Sequence, residues 1–129
     1  MKILFLDLQE LKVIHKYQIE KYGGLHGLRD QNLLDSAINY PQAMFGKQYL
    51  HVDICSMAAA YMYAIIKNHP FIDGNKRTGF MAAVIFLAYN DFFIDAKDDE
   101  LFDLAIAVAI SNVTETDVAL FFKNKSIKN

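Results

Sequence analysis

Ten consecutive residues hold the groups that could do chemistry: His69-Pro70-Phe71-Ile72-Asp73-Gly74-Asn75-Lys76-Arg77-Thr78. Histidine is the side chain whose ordinary pKa suits a general base near neutrality, which makes His69 a candidate for that role. Asp73 is a carboxylate able to hold a divalent cation such as Mg2+, which keeps most of its waters and takes few protein ligands. Gly74 permits the backbone angles of a tight turn. Lys76 and Arg77 place two cations side by side, one a point charge and the other a fork that matches phosphate oxygens. A base, a metal ligand and an anion receptacle are the parts of a phosphoryl or nucleotidyl transfer site, where catalysis is mostly positioning and charge stabilisation.

The elements around this stretch follow from its flanks. Pro70 pushes His69 out of the α region, so a preceding helix should stop near Asn68. From Asn75 a new helix is predicted, since Phe80, Ala83, Val84, Leu87 and Ala88 recur at helical spacing. The loop therefore ends on a helix N-terminus, whose free N–H groups and positive dipole end attract anions. Two cations there oppose the dipole unless an anion is expected. Taken singly, the residues have plainer readings: Asp73-Gly74 is an ordinary turn signal, and Phe71 is a core anchor under the loop. No Gly-x-x-x-x-Gly-Lys-Ser/Thr phosphate loop occurs.

The pattern His-Pro-Phe-x-Asp-Gly-Asn-x-Arg at residues 69–77 resembles the signature of the Fic/Doc superfamily. Fic-type members mostly carry a second glycine where this chain has Lys76, and a lysine there resembles the Doc (death-on-curing) branch, toxins of toxin–antitoxin modules. Tyr22-Gly23-Gly24-Leu25, Gly27-Leu28-Arg29-Asp30, Leu33-Leu34-Asp35-Ser36-Ala37 and Pro41-Gln42 extend the resemblance through the amino-terminal half. His26 departs from the proline common there and reads as a surface substitution. The resemblance implies a Doc-like protein kinase that uses ATP and Mg2+ to phosphorylate a threonine hydroxyl of elongation factor Tu and so blocks translation. His69 would take the hydroxyl proton, Asp73 would hold the metal directly or through water, the loop amides around Gly74 and Asn75 would cradle phosphates with the Asn75 side chain assisting, and Lys76 and Arg77 would neutralise their charge. Lys76 would fill space where a glycine admits the α- and β-phosphates. AMP transfer, the commoner Fic chemistry, is the alternative, and a noncatalytic binding module is the reading of a different class. Inhibition would come in trans from a Phd-like antitoxin whose disordered segment folds on binding. Ser111 to Glu115 fits only the first part of the Fic inhibitory-helix pattern, because Thr116 occupies its last place, so it reads as helix capping.

Composition bounds these readings. The length of 129 residues suits one domain, 1–129, and 53% hydrophobic residues with ten Phe and seven Tyr supply a sizeable core. A net charge of -2 and a pI near 6.0 give no general attraction to nucleic acid, so DNA binding is not expected. The single Cys55 excludes an internal disulfide and fits a reducing, cytoplasmic setting as a buried small hydrophobe. Asp7 interrupts the apolar start too soon for a secretory signal, and no run reaches membrane-spanning length. A mean hydropathy of +0.12 is high for a small domain and suits a bound partner over an apolar groove.

In chain order, residues 2–6 read as a short strand or extended lead-in. Asp7 with Glu10 forms a capping-box pattern for a first helix. Its apolar face is expected to include Leu8, Leu11, Val13, Ile14, Tyr17 and Ile19, and Gly23-Gly24 stops it. His15 lies in that helix, on its polar face or partly buried, with no partner apparent. Asp30 caps a second helix that Pro41 ends. Residues 41–51 form an irregular loop or small hairpin, either a flap that docks a target segment or an ordinary connection. A third helix spans about Asp53 to Lys67 and the fourth ends near Asn90-Asp91. Phe92-Phe93-Ile94 tucks under the core, Asp98 is the N-cap of a fifth helix, and Thr114 with Asp117 starts a sixth. The basic tail from Lys123 is expected to be frayed and solvated. The predicted fold class is all-α, a compact bundle of about six helices with a minor β-hairpin or flap.

Overall fold

In the chain's centre lies a helix with apolar residues all round. Such a helix must be surrounded, and it sets the architecture. The computed structural model describes residues 2–128, Lys128 by its backbone alone. Among them are six α-helices: α1 (Leu8–Tyr22), α2 (Gln31–Asn39), α3 (Ile54–Asn68), α4 (Asn75–Tyr89), α5 (Asp98–Ala109) and α6 (Glu115–Lys125). Four short strands complete it: β1 (Met44–Phe45), β2 (Gln48–Tyr49), β3 (Phe92–Ile94) and β4 (Ser126–Lys128). The fold is mostly α, as the patterning predicts, with two small antiparallel strand pairs where one hairpin was expected.

Helix α3 is the buried axis. It buries Cys55, Met57 through Met62, and Ala64 through Ile66, and packs against α2, α4, α5 and α6. The pair α3–α4 is the most extensive, and its closeness has a cause at Gly79. A Cβ there would lie 2.8 Å from Ile66 Cγ1 and 3.2 Å from the Met62 carbonyl oxygen, so only glycine lets the two backbones approach this far. Phe80, Ala83 and Leu87 of α4 are buried as expected, with the Phe86 ring tilted by 51° against Tyr61 at 5.0 Å between centroids.

The caps are local and follow their sequence signals. Asp7 Oδ1 accepts from the Glu10 N–H at 2.8 Å while Glu10 Oε1 accepts from the Asp7 N–H at 3.0 Å. Asp30 accepts from the Leu33 N–H, and Asp53 from the Ser56 N–H. Thr114 and Asp117 form the reciprocal box of α6. Helix α5 differs from expectation: Asp98 is its first helical residue, and Lys97 stands at the N-cap with its N–H bonded to Glu100 Oε1. Asp98, Asp99 and Glu100 then all lie in the first turn, where negative charge complements the dipole.

Two other expectations need correction, and one of two alternatives is decided. Val13 and Tyr17 are exposed, at 66% and 57%, and the buried stripe of α1 is Leu11, Ile14, His15, Gln18 and Ile19. That face packs on α4 through Leu11 and Ile14, and it also meets the 69–74 loop, where His15 stacks on Phe71 and reaches the Asp73 carbonyl. Of the two forms expected for residues 2–6 the structure has the extended lead-in, without strand pairing, its Leu4 backbone bonded through both N–H and C=O to the Asn90 side chain. The tail is not frayed over its described length. Helix α6 continues to Lys125, and β4 pairs antiparallel with β3, Phe93 opposite Ile127. Pairing satisfies the backbone groups of Phe92–Ile94, a demand that the tail's polar composition does not reveal.

Residues 44–49 form the small hairpin β1–β2. Its two flanks meet on one carboxylate: the Tyr40 hydroxyl donates to Glu115 Oε1 at 2.8 Å, and His51 Nδ1 lies 3.5 Å from Glu115 Oε2. Burial, with the bond to Glu115, pushes the Tyr40 hydroxyl pKa up to about 12.

Candidate active site

The loop of residues 69–74 joins α3 to α4, and three independent sets of bonds hold it. The first is internal. Asn75, at the first position of α4, is buried; its Oδ1 accepts from the Phe71 N–H and its Nδ2 donates to the Phe71 C=O, both at 3.0 Å. This corrects one expectation. The Asn75 side chain is engaged in bracing Phe71, so its amide does not reach for a ligand. What it can offer an anion is its backbone N–H, one of the first-turn groups without an intrahelical acceptor.

The second set comes from the α1–α2 connection. The Arg29 and Asp30 N–H groups both donate to the Pro70 C=O, at 2.7 and 3.0 Å, and the Ile72 N–H donates to the Gly27 C=O at 3.1 Å. Leu28 and Phe71 form an isolated antiparallel bridge. The Arg29 side chain donates from Nε to the His69 carbonyl at 2.6 Å and from Nη2 to the Asn68 carbonyl at 2.8 Å. A guanidinium there satisfies end carbonyls of α3 and complements the negative end of its dipole.

The third set is supplied by α1. The His15 ring stacks on Phe71 with centroids 3.7 Å apart and planes 6° apart, and Nε2 lies 2.8 Å from the Asp73 carbonyl oxygen. A carbonyl only accepts, so His15 Nε2 carries the hydrogen. Burial pushes the His15 pKa below its ordinary value of 6.5; the bond to the Asp73 carbonyl opposes this, nearby His26 adds to it, and the Asp73 carboxylate opposes it. The sign for stability follows. The unfolded chain protonates His15 near the ordinary value and the folded chain only at lower pH, so its contribution is full above that value and is lost as pH falls toward the folded one. Urea denaturation from about pH 7 to about pH 5 should therefore show a steeper stability loss for the native chain than for His15→Gln. Equal slopes would remove His15 from this account.

With the loop held, His69 sits at φ 52 and ψ 54. It leaves the α region, as the following proline requires, but enters the left-handed region rather than an extended one. There it ends α3, its N–H donating to the Ile65 carbonyl at 3.1 Å. Its imidazole is exposed. Gly74 has φ 80, and a Cβ on it would lie 2.9 Å from Ile19 Cδ1, so the turn needs glycine for both conformation and space. The Asp73 carboxylate accepts from the Leu25 N–H through Oδ2 at 2.8 Å.

These residues line one cavity of about 300 Å³. All six residues singled out from the sequence border it: His69, Asp73, Gly74, Asn75, Lys76 and Arg77. Its remaining wall comes from Gln18, Tyr22, Gly23 and Gly24 at the end of α1, and from Phe102 on α5. Among the described residues neither Lys76 nor Arg77 has a carboxylate partner. Two uncompensated cations thus stand at the positive end of the α4 dipole, an arrangement favourable only with an anion in place. Sequence reasoning missed Gln18, Tyr22, Phe102, His15 and the side-chain role of Arg29. Tyr22 and Arg29 lie within segments that carry the family resemblance, but nothing in the sequence marks Phe102.

Comparison with known proteins points the same way as the geometry. The model of the Fic/DOC family matches residues 5–87. The chain is 32% identical over 111 residues to the protein kinase doc of Escherichia phage P1, covering 86% of each chain. It is 36% identical over 90 residues to the toxin Doc of Mycolicibacterium smegmatis, covering 65% of this chain and 69% of that one.

Proposed function

Because this chain belongs to the Fic/DOC family, on its Doc branch, we propose that it is a Doc-like toxin that moves the γ-phosphoryl group of ATP to a threonine hydroxyl of a protein. The translation factor elongation factor Tu is the proposed target, and blocked translation the outcome. The observation that carries this reading is the juxtaposition of an exposed imidazole with two uncompensated cations on a helix N-terminus, around one cavity.

The roles divide as follows. The acceptor oxygen bonds to the γ-phosphorus as the bond from that phosphorus to its bridging oxygen breaks. ADP leaves with the electron pair, and the hydroxyl proton passes to the free ring nitrogen of His69. Lys76 and Arg77 neutralise the charge on the phosphates, and the first-turn N–H groups of α4, with Gly74 beside them, orient the oxygens. Asp73 has one carboxylate oxygen committed to Leu25 and one left for Mg2+. No cluster of three or more acidic, His or Cys residues that could hold a metal occurs among the described residues. A single carboxylate suits a cation that arrives with the triphosphate and keeps its waters, and bound there it would supply charge neutralisation. Lys76, where Fic members mostly have glycine, favours delivery of the γ- rather than the α-phosphorus.

A Phd-like antitoxin acting in trans is the proposed inhibitor. An apolar cleft of about 380 Å³ between α1 and α4, walled by Val13, Ile14, Ile85 and Tyr89 with Asp7 and Glu10 alongside, supports this part. It suits an amphipathic helix carrying basic residues. No helix among the described residues is long and apolar enough to cross a membrane.

The test uses ATP labelled at either the α or the γ position, incubated with the protein, Mg2+ and a whole-cell extract. Label from the γ position should appear on one protein target. Label from the α position would replace this reading by AMP transfer, and no label from either would leave a noncatalytic binding module.

A further inference from the structure

Arg77 is held in a way that the signature motif does not foretell. Its Cζ lies 3.8 Å from the ring centroid of Tyr22, the last residue of α1, and 4.4 Å from that of Phe102 on α5. The two rings come from helices that are distant in sequence and flank the start of α4. Aromatic faces hold a guanidinium through dispersion and the ring quadrupole. They take none of its N–H donors, whereas a carboxylate would occupy two of them and cancel the charge. No carboxylate pairs with Arg77 among the described residues. The side chain is therefore oriented yet left fully able to donate.

We propose that Tyr22 and Phe102 are positioning residues, a two-ring clamp that sets the Arg77 guanidinium in place before a phosphate donor arrives. A free arginine side chain loses rotamer freedom on ordering, so holding it beforehand strengthens binding without adding a contact. The inference rests on the reading of the cavity as a nucleotide-phosphate site. It goes beyond that reading in assigning function to two residues outside the motif. Both rings border the cavity; the effect assigned to them is the one that passes through Arg77.

The experiment measures ATP affinity in the presence of Mg2+ by calorimetry, and follows the Arg77 Nε–H resonance in the ligand-free protein. Tyr22→Leu and Phe102→Leu are each expected to weaken ATP binding about three- to tenfold and to shift that resonance toward its solvent-exposed position. Tyr22→Phe and Phe102→Tyr, which keep the rings, should restore both. In an Arg77→Ala chain the leucine substitutions should produce no further loss. An equal loss in both backgrounds overturns the clamp, since the rings would then act on the nucleotide or on the fold. ATP binding unaffected by either leucine also overturns it, with the phosphate-site reading intact. A native chain that binds no ATP overturns both. If Phe102→Leu does not fold, Tyr22→Leu carries the test, because Tyr22 is 43% exposed and its truncation removes little core.

Discussion

Replacing His69 by alanine should lower phosphoryl transfer by a factor of about 10² to 10⁴ while leaving the chain folded. The imidazole is exposed. The part of His69 that supports the fold is its backbone. Its carbonyl accepts from Arg29 Nε, and its N–H closes the last turn of α3. Alanine keeps both bonds. The left-handed conformation at φ 52 is strained for any residue with a Cβ, by about 1–2 kcal/mol. His69→Gly should accordingly be as inactive as the alanine variant yet more stable than the native chain by about 1 kcal/mol. A position that destabilises the fold and is required for activity is one held for chemistry. The check is the transfer rate of both variants beside their urea midpoints. A folded His69→Ala chain that still modifies its target would end the case for this residue as the base.

Asn75→Ala should be the most damaging single change at the site for stability, by about 2–4 kcal/mol. Both ends of the native amide are bonded to Phe71, which is itself 2% exposed, so truncation leaves a buried N–H and a buried C=O without partners. Phe71 lies midway between His69 and Asp73, and its release should misplace both, reducing activity along with stability. Asn75→Asp separates the two bonds. An ionised carboxylate still accepts from the Phe71 N–H but faces the Phe71 carbonyl with a second acceptor. It should be about as destabilising near neutral pH and partly recover when acid protonates it, because the protonated form donates again. Chemical denaturation of the three chains at two pH values measures this. A difference under about 0.5 kcal/mol between native chain and Asn75→Ala would remove the brace from the account.

Much of the scaffold was readable because its signals are local. Asp7 with Glu10, Asp30, and Thr114 with Asp117 act within one turn, so their caps stand where the residues stand. Pro70 implied the break after Asn68. Tyr17 and Val13 were misread for the opposite reason. A broad apolar face on α1 admits several rotations, and the choice belongs to the neighbour. The neighbours are α4 and the 69–74 loop, and His15 turned inward to stack on Phe71 and bond the Asp73 carbonyl. Likewise β4 exists because β3 leaves backbone groups to be paired, and a polar tail carries no sign of this.

The site divides along the same line. Residue types and spacing between His69 and Arg77 determined the chemistry on offer: a base, a carboxylate, a turn and two cations on a helix start. These are properties of side chains and of adjacent backbone, and they need no partner. Which groups stay available to a ligand was decided only by folding. Asn75 turned inward to Phe71, one Asp73 oxygen went to Leu25, and Arg77 came to rest against Tyr22 and Phe102. Each outcome depends on atoms tens of residues away or on competition between hydrogen-bond partners. Such competition is settled by packing in three dimensions, which a local pattern in the chain does not encode.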